Sequence, residues 1–301
     1  MSRRLTRLTA ALLAVLVTPA AAYASNGMTV ADLAVRADDT VWRDAIVHLN
    51  ATNATSVPGY NISAPYSKYP QRTPDWELAI SVTADIPTTE PAGKFFTGTA
   101  INWTPALELR RNGTVRGDKS WTVCMGVYKG AKLRTDKVQV DSTCDGILPD
   151  KCVKELQQQA SGNSVCSRTA SLPSECVDEM GKGDIQGYSV DASFGPETNR
   201  SSVGFYYSSE KEGHDKGNTT AYDDAIRQVW VVMTGFASNT TDSRRNSPRQ
   251  ETDAQGSLRC IRAQKFKDGS RSYDSAASGR QLGFASWATA VLVPTCIAIL
   301  L

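Results

Sequence analysis

Apolar and polar residues alternate along the segment WELAISVTADI, which runs from Trp76 to Ile86. Every even-numbered position is apolar, whereas Glu77 and Asp85 belong to the intervening, mainly polar set. A period of two places successive side chains on opposite faces of a β-strand. We therefore predict a half-buried antiparallel strand whose apolar set faces a core.

Two neighbouring segments carry the same signal. Residues 95–104, FFTGTAINWT, predict a strand in which Ile101 and Trp103 face the core if Asn102 carries a glycan. The segment SWTVCMGVY predicts a further strand, with its apolar residues on one face and Cys124 on the other.

Turn signals and polar stretches separate the predicted strands. The pair Asn112-Gly113 is a strong signal for a β-hairpin. Residues 50–75 are rich in Pro and Tyr and predict a glycosylated, extended surface stretch. Closer to the C-terminus, SSVGFYYS, IRQVWVVMTGF and SLRCIRAQKF predict strands, and the long polar segments between them predict loops.

Residues 144–181 have a different character because they contain four cysteines and an internal repeat. The units LPDKCVKEL, 148–156, and LPSECVDEM, 172–180, recur at a period of 24 residues. In each unit Pro suits the first turn of a helix, and Cys152 or Cys176 shares a face with apolar neighbours. We predict two short helices that disulfides hold together.

Strands on both sides of a small helical segment predict a mainly β chain. The expected fold is an antiparallel β-sandwich, over residues 25–267, with a disulfide-stapled two-helix insert at 144–181. Two domains divided near residue 140 are the alternative.

The first 24 residues have the organisation of a secretory signal peptide. A basic segment, MSRRLTR, precedes the apolar segment LTAALLAVLV, and Ala22-Tyr23-Ala24 is a small-x-small cleavage motif. We expect residues 1–24 to be removed. The alternative is a first transmembrane helix, which needs about 20 apolar residues.

The C-terminal region has the pattern of a glycosylphosphatidylinositol (GPI) attachment signal: small residues, a spacer and the uncharged tail Ala288 to Leu301. We expect residues 268–277 to form a polar stalk and 278–301 to be a propeptide that is removed. The candidates for lipid attachment are Ser275, Ala276 and Ala277. The alternative, a tail-anchored transmembrane helix, would be interrupted by Pro294.

Removal of both ends changes the charge of the chain. The 301 residues carry a formal charge of +2, from 33 basic and 31 acidic side chains. Cleavage removes four basic residues and no acidic ones, which leaves 29 against 31 and a charge of −2. We therefore expect no nucleic-acid partner.

Cysteines and sequons predict an oxidising, secretory route. Six of the seven cysteines lie before the tail residue Cys296, and an even number in a secreted chain predicts three disulfides. Zinc binding is the alternative, but the chain lacks C-x-x-C pairs. The predicted disulfide cysteines are Cys124, Cys144, Cys152, Cys166, Cys176 and Cys260.

The spacing of these cysteines also predicts a pairing. The four between residues 144 and 176 are expected to pair among themselves, since a short helical segment needs local cross-links. Cys124 is then left to join Cys260 across the sheet.

Eight of the 11 asparagines lie in N-x-S/T sequons, which is far more than chance predicts. Each occupied site must face water, because a glycan is bulky and polar. The predicted N-glycosylation sites are Asn50, Asn53, Asn61, Asn102, Asn112, Asn199, Asn218 and Asn239.

Catalytic and metal-binding motifs are scarce. We expect His48, between two apolar residues, to be structural and His214, in a charged loop, to be solvated. A paired-carboxylate glycosidase is the surviving enzymatic alternative, since sequence does not give the distance between acids. Its candidates on predicted strands are Glu77, Asp85 and Glu108.

A calcium loop is a weaker hypothesis for the acids Asp141, Asp145 and Asp150, since their spacing does not match an EF-hand. We expect neither a metal nor another cofactor. Carbohydrate binding remains open, since exposed aromatics on a β scaffold could stack on sugars. The candidates are Tyr60, Tyr66, Tyr69, Tyr206 and Tyr207.

The two ends and the sequons together resemble fungal GPI-anchored cell-surface and wall glycoproteins. The resemblance covers the targeting segments and implies an extracellular location on the plasma membrane or in the cell wall. We expect a non-catalytic role in wall organisation, adhesion or binding of carbohydrate or host surfaces, with glycans or wall polymers as partners. The alternative is a surface glycosidase or wall-remodelling enzyme.

Overall fold

The computed structural model describes residues 42–273 with gaps. The positions outside it are 43, 46, 68, 90, 131–142, 162–163, 168–171, 181–185, 193, 195–200, 209–212 and 240–255, together with both chain ends. The predicted signal peptide, the three lipid-attachment candidates, the propeptide, Asn199 and Asp141 therefore lie outside the described residues.

Strands dominate the described part of the chain. They are β1 Ala51–Tyr60, β2 Arg72–Pro87, β3 Phe95–Thr104, β4 Arg110–Arg111, β5 Thr114–Val115, β6 Trp121–Lys129, β7 Gln186–Ala192, β8 Val203–Ser208, β9 Trp230–Ser238, β10 Ser257–Ile261 and β11 Lys265–Phe266. The helices are α1 Asp150–Ser161, α2 Ser174–Met180 and α3 Thr220–Arg227, and 3-10 turns cover Leu107–Leu109 and Ser164–Ser167.

The strands form two antiparallel sheets and one short hairpin. The first sheet has the order β11-β1-β2-β3-β8, and the second has the order β10-β9-β6-β7. The hairpin β4-β5 turns at Asn112-Gly113, where both residues have positive φ, +53° and +77°. This is the backbone that a two-residue hairpin requires, so the predicted hairpin is confirmed.

An aromatic core lies between the two sheets. Trp76 and Trp103, from the first sheet, lie 4.8 Å apart between ring centroids, and both pack against Phe236 of the second sheet. Ile101 and Trp103 are fully buried in this core, as the alternation in β3 predicts. The predicted fold class, a mainly antiparallel β-sandwich with a small helical insert, is confirmed.

Strands from both halves of the sequence share each sheet. β6 pairs with β7 and β9, which follow the insert, and β3 pairs with β8. The described strands therefore do not divide into two domains near residue 140.

The alternation in β2 stops at Asp85. Trp76, Leu78 and Ile80 face the core between the sheets, but a β-bulge interrupts pairing with β3 between Thr83 and Ile86. Asp85 has a φ of +52° at this bulge. The extra residue reverses the side-chain direction, so Ile86 packs on the outward face of the first sheet instead of in the predicted core.

The helical insert covers the outward face of the second sheet as a third layer. Leu156 and Met180 of the two helices are fully buried against Tyr128, Val231 and their neighbours on that face. The repeat thus forms the two predicted helices, but they pack on the sheet and do not form a separate unit.

The turn Ser164–Ser167 approaches the second sheet where two strands carry glycine. A Cβ added to Gly235 would lie 3.2 Å from Cβ of Val165, and one added to Gly126 would lie 3.5 Å from Cγ1 of the same residue. The absence of side chains on β6 and β9 at these positions lets the turn lie close to the sheet.

Three disulfides are formed by the six predicted cysteines, but the predicted pairing is wrong. The bonds are Cys124–Cys166, Cys144–Cys260 and Cys152–Cys176. The strands of Cys124 and Cys260 are separated by β9, so two strand spacings, about 10 Å, keep these cysteines beyond disulfide reach. Both thiols point outward, where the cysteines of the insert meet them.

Two elements differ from the predictions because their sequences lack an apolar period. β1 lies in the segment that is predicted to be an extended, glycosylated surface stretch, not a strand of the sheet, and its inward positions include the polar residues Asn53 and Thr55. α3 begins within a predicted polar loop and ends at Arg227, inside the predicted strand IRQVWVVMTGF, whose strand structure starts only at Trp230. The predicted strand SLRCIRAQKF divides after Ile261 into β10 and β11, which belong to different sheets.

Candidate functional site

The acidic residues proposed for glycoside cleavage are not brought together as a pair on β2. Glu77 is exposed on the outward face of the first sheet, and Asp85 lies eight residues further along the same strand. That separation is about 27 Å in extended chain, whereas paired glycosidase carboxylates lie about 5–9.5 Å apart. Glu108 is exposed in the 3-10 turn beyond the end of β3.

Asp85 instead binds the loop that precedes α3. Both of its carboxylate oxygens accept from the backbone N–H of Gly217, at 3.1 and 3.2 Å, and Oδ1 lies 3.8 Å from Nδ1 of His214. Aspartate tolerates the left-handed backbone better than most residues do. The bulge therefore directs the Asp85 carboxylate toward the loop that precedes α3, and these contacts hold that loop against the first sheet.

His214 is buried, with 6% of its surface exposed, and so is not solvated as expected. Its backbone exchanges two hydrogen bonds with Phe95, at 2.9 and 2.6 Å. Beside it, Nζ of Lys94 donates to Asp215 at 2.8 Å, and this hydrogen bond holds the pKa of the Asp215 carboxyl below its usual value. The contacts made by this loop join it to β2 and β3.

His48 is exposed, so the expectation that it is structural is wrong. Asp145 is exposed in a tight turn, and Asp150 is exposed at the start of α1. Within the described ranges, no cluster of three or more His, Cys, Asp or Glu side chains is arranged to hold a metal ion.

Most of the candidate sugar-binding aromatics serve the core. Tyr60, Tyr206 and Tyr207 are each less than 10% exposed. Tyr66 is partly buried, and its ring lies edge-on to Trp121 at 4.5 Å between centroids. Tyr69 alone of the five is strongly exposed, at 70%. Of the five candidates, only the tyrosine in the loop between β1 and β2 is therefore exposed enough to stack on a sugar.

The sequons differ in their exposure. Asn112 and Asn218 are exposed, while Asn50, Asn53, Asn61 and Asn239 are partly exposed. Asn102 is only 8% exposed, and its Oδ1 atom is buried with no hydrogen-bond partner among the residues that the structure describes.

Residues 268–273, which we call the C-terminal latch, are bound to α3. The Arg271 guanidinium donates two hydrogen bonds to the Asp223 carboxylate, at 3.0 and 2.9 Å. The Tyr222 hydroxyl donates to the Arg271 carbonyl at 3.1 Å. A bidentate pair on a mostly buried carboxylate fixes both the position and the direction of the chain.

Tyr273 completes the latch. Its ring packs edge-on against Phe266 at 4.9 Å, and the Arg262 guanidinium lies 4.5 Å from the ring centroid. The hydroxyl of Tyr273 donates to the Ala263 carbonyl, and its own carbonyl accepts from Arg227 at 3.2 Å. The same face of α3 thus binds the chain at positions 271 and 273.

The latch corrects the predicted stalk. Residues 268–277 are predicted to be a polar stalk, but Ser270 accepts a hydrogen bond from Asn50, and Arg271 and Tyr273 bind α3. The folded part therefore reaches Tyr273. The sequence contains one sign of these contacts, an aromatic residue and an arginine within a polar stretch. Their partners lie on α3, which the sequence does not predict as a helix.

Burial raises the pKa of two tyrosines here. The pKa of Tyr222 rises to about 12, mainly because burial disfavours the charged phenolate and also because Asp223 is negative. The pKa of Tyr273 also rises to about 12, with burial as the main cause. Both hydroxyls therefore remain hydrogen-bond donors well above neutral pH.

Comparison with known proteins adds no family. No protein-family model, curated protein or solved structure matches this chain. Among the residues that the structure describes, no helix has the length and apolar character to cross a membrane. The three disulfides indicate folding in an oxidising, extracellular-type environment.

Proposed function

We propose that this protein is a GPI-anchored extracellular glycoprotein that binds surface or wall components and does not catalyse a reaction. The observation that carries the proposal is the C-terminal latch. The contacts of the folded domain reach Tyr273, two residues before Ser275, the first of the small-residue attachment candidates. Packing that extends this close to the candidate positions suits a domain that is displayed at a membrane surface.

The anchor is tested by treating intact cells with a phospholipase specific for GPI. The expected result is release of the glycoprotein into the medium. A variant in which Ser275, Ala276 and Ala277 are all replaced by glutamine should lose release, because bulky side chains block lipid transfer. Arg280→Ala, just beyond these positions, is the matched control and should behave as wild type. Retention of the wild-type protein on treated cells would contradict the proposal.

Binding is proposed at the loop end of the sandwich that carries Tyr69. Its ring is 70% exposed, on a loop that is held in place where Tyr66 packs on Trp121. An exposed aromatic side chain is the group that stacks on a sugar ring or inserts into a protein surface. Glycans and wall polymers are the proposed partners.

The purified ectodomain should bind wall polysaccharide or a defined glycan on an array. Tyr69→Ala should weaken this binding without changing the melting temperature, because the exposed ring contributes little to the core. Lys151→Gln, a polar change on the exposed side of the helical insert, is the control and should bind normally. Release of new reducing ends from the polymer would instead support the glycosidase alternative.

A further inference from the structure

The loop end of the sandwich that carries Tyr69 also carries an excess of basic residues. We infer that its ligand is a polysaccharide with acidic sugars, and this inference rests on the proposed binding function. The surface concerned consists of residues 61–72 and 116–121, which we call the basic loop surface. It contains one acidic residue and four basic ones, Lys68, Arg72, Arg116 and Lys119. Its charge is therefore +3, whereas the predicted mature chain has a charge of −2.

Backbone hydrogen bonds join the two segments of this surface. The N–H of Asp118 donates to the Ile62 carbonyl at 2.6 Å. The N–H of Tyr66 donates to the Ser120 hydroxyl at 2.8 Å. Since Tyr69 lies three residues beyond Tyr66, its exposed ring and the basic residues of both segments lie at the same end of the sandwich.

The described basic side chains of this surface reach solvent, whereas its acidic side chain is held in a turn. Arg72, Arg116 and Lys119 are all exposed. The Asp118 carboxylate accepts hydrogen bonds from the side chain and the backbone N–H of Ser120, and these bonds hold the pKa of its carboxyl below the usual value. Exposed cations with this excess over anions attract a negatively charged ligand.

Asp75, the first acidic residue of β2, lies close in sequence to this surface but has a counter-charge of its own. Its charge interacts with that of Arg259, a half-buried residue of β10. The basic excess of the loop surface is therefore not cancelled by this neighbouring strand.

The aromatic ring and the cations together define the class of ligand. The ring of Tyr69 offers an apolar face on which a sugar ring stacks, but stacking does not distinguish neutral from acidic sugars. The guanidinium of Arg72 and the ammonium of Lys119 bind carboxylate or sulfate groups. A neutral polysaccharide uses only the ring, and an acidic peptide without aromatic or sugar rings uses only the cations. An acidic polysaccharide uses both.

Glycans of the protein itself are controlled for, because three sequons border this surface, at Asn61, Asn112 and Asn239. A glycan at any of them competes with a bound polymer for space. The aglycosylated variant removes the three sequons and keeps the asparagines, through Ser63→Ala, Thr114→Ala and Thr241→Ala. It is measured beside the wild-type glycoprotein.

Binding of the purified glycoprotein is measured to three immobilised polymers: polygalacturonate, its methyl ester and polyglutamate. The ester keeps the sugar ring and removes the charge, while polyglutamate keeps the charge and removes the ring. We expect the wild-type and aglycosylated proteins to bind polygalacturonate more tightly than either other polymer, by about tenfold, the combined effect of several exposed ion pairs. This preference over the ester should shrink as the salt concentration rises.

Substitutions separate the two contributions. Arg72→Gln and Lys119→Gln should each weaken binding to polygalacturonate by about two- to fivefold. Lys151→Gln and Lys154→Gln remove the same charge from exposed positions on α1 and are the matched controls, which should bind normally. Tyr69→Ala should weaken binding to polygalacturonate and to its ester by the same factor, but not binding to polyglutamate.

Each contrary outcome has a distinct meaning. Equal binding of polygalacturonate and its ester would overturn the acidic ligand and leave the binding function of Tyr69 intact. Binding of polyglutamate as tightly as polygalacturonate would assign the surface to acidic proteins instead. Binding by the aglycosylated variant alone would show that the glycans of the native protein cover the surface, which also overturns the inference. If neither these polymers nor any arrayed glycan is bound, the proposed binding function fails as well.

Discussion

Tyr222 and Tyr273 both keep their hydroxyl protons to unusually high pH at the α3 end of the molecule. In the unfolded chain a tyrosine loses its proton near pH 10, whereas burial raises both pKa values here to about 12. Between these values the unfolded state binds fewer protons than the folded state. The free energy of unfolding contributed by the pair is therefore constant below pH 10 and falls as the pH rises toward 12.

We predict that the latch opens in this alkaline window. Denaturant unfolding at pH 9, 10 and 11 should show a loss of stability above pH 10, together with faster proteolysis at residues 268–273. The variant with Tyr222→Phe and Tyr273→Phe has no proton to lose at these positions, so its stability should vary less over the same range. Identical pH profiles for the wild-type protein and the double variant would show that Tyr222 and Tyr273 do not cause the loss of stability.

Asn102 has a complete sequon but surroundings that do not suit a glycan. It lies on the outward face of central strand β3, between Ala79 and Gly204, and is only 8% exposed. A Cβ added to Gly204 would lie 2.8 Å from Oδ1 of Asn102, which shows how closely the neighbouring strand approaches. We predict that Asn102 carries no glycan, while the exposed Asn112 and Asn218 are occupied.

The measurement is peptide mass spectrometry after enzymatic deglycosylation in water enriched in ¹⁸O. Conversion to ¹⁸O-labelled aspartate should occur at Asn112 and Asn218 but not at Asn102. Asn102→Ala should leave the mobility of the glycoprotein unchanged, in contrast to Asn112→Asp. Labelled Asn102 would mean that the outward face of the first sheet is open enough for oligosaccharide transfer.

Among the structural elements, the turn Ser164–Ser167 is closely fitted to its sheet. Gly235→Ala would bring a Cβ to 3.2 Å from Val165, tighter than ordinary contact, whereas Gly126→Ala would reach only 3.5 Å. We predict that Gly235→Ala costs about 1–3 kcal/mol through overpacking. Gly126→Ala, on the neighbouring strand and the same face, should be neutral or gain up to about 1 kcal/mol from reduced unfolded-state entropy.

Denaturant unfolding of the two variants checks this difference. Hydrogen exchange at residues 164–167 should also increase in Gly235→Ala and not in Gly126→Ala. Equal effects of the two substitutions would show that the turn can move away from the sheet without cost.

The disulfides connect elements over very different lengths of chain. Cys144–Cys260 closes a separation of 116 residues, while Cys152–Cys176 closes 24 within the insert. Chain-entropy arguments assign about 4.9 kcal/mol to the longer loop and about 3.5 kcal/mol to the shorter. The variant Cys144→Ala with Cys260→Ala should therefore be the less stable, by about 1.4 kcal/mol.

Equilibrium unfolding of the two double variants measures this difference. Non-reducing peptide mapping of the wild-type protein should first recover Cys144 linked to Cys260. If the variant without Cys152–Cys176 proves the less stable, local packing of the helices outweighs loop length.

The sequence predicts best those elements whose apolar side chains recur on one face. β2, β3 and β6 alternate, and the pair Asn112-Gly113 demands a particular turn, so local residues alone predict these features. β1 escapes prediction because its inward residues at the sheet edge, such as Asn53, are polar. α3 is not predicted because it begins in a polar segment, ends inside a predicted strand and is stabilised by distant residues such as Arg271.

The candidate site was less predictable because it depends on pairs far apart in sequence. Arg271 meets Asp223 across 48 residues, and Asn50 meets Ser270 across 220. Nothing local distinguishes such residues from solvated ones. The disulfide pairing failed for the same reason, since the packing of the insert on the second sheet decides which thiols meet.

At the scale of the whole molecule, both sheets need strands from both halves of the chain. The core places Trp76 and Trp103, which precede the insert, against Phe236, which follows it. We predict that the ectodomain, residues 25–273, unfolds in one calorimetric transition whose van 't Hoff and measured enthalpies agree. A fragment of residues 25–142 has no partner for this aromatic face and should be degraded rapidly by protease, unlike the intact ectodomain. Two separate transitions, or a protease-resistant fragment, would restore the two-domain alternative.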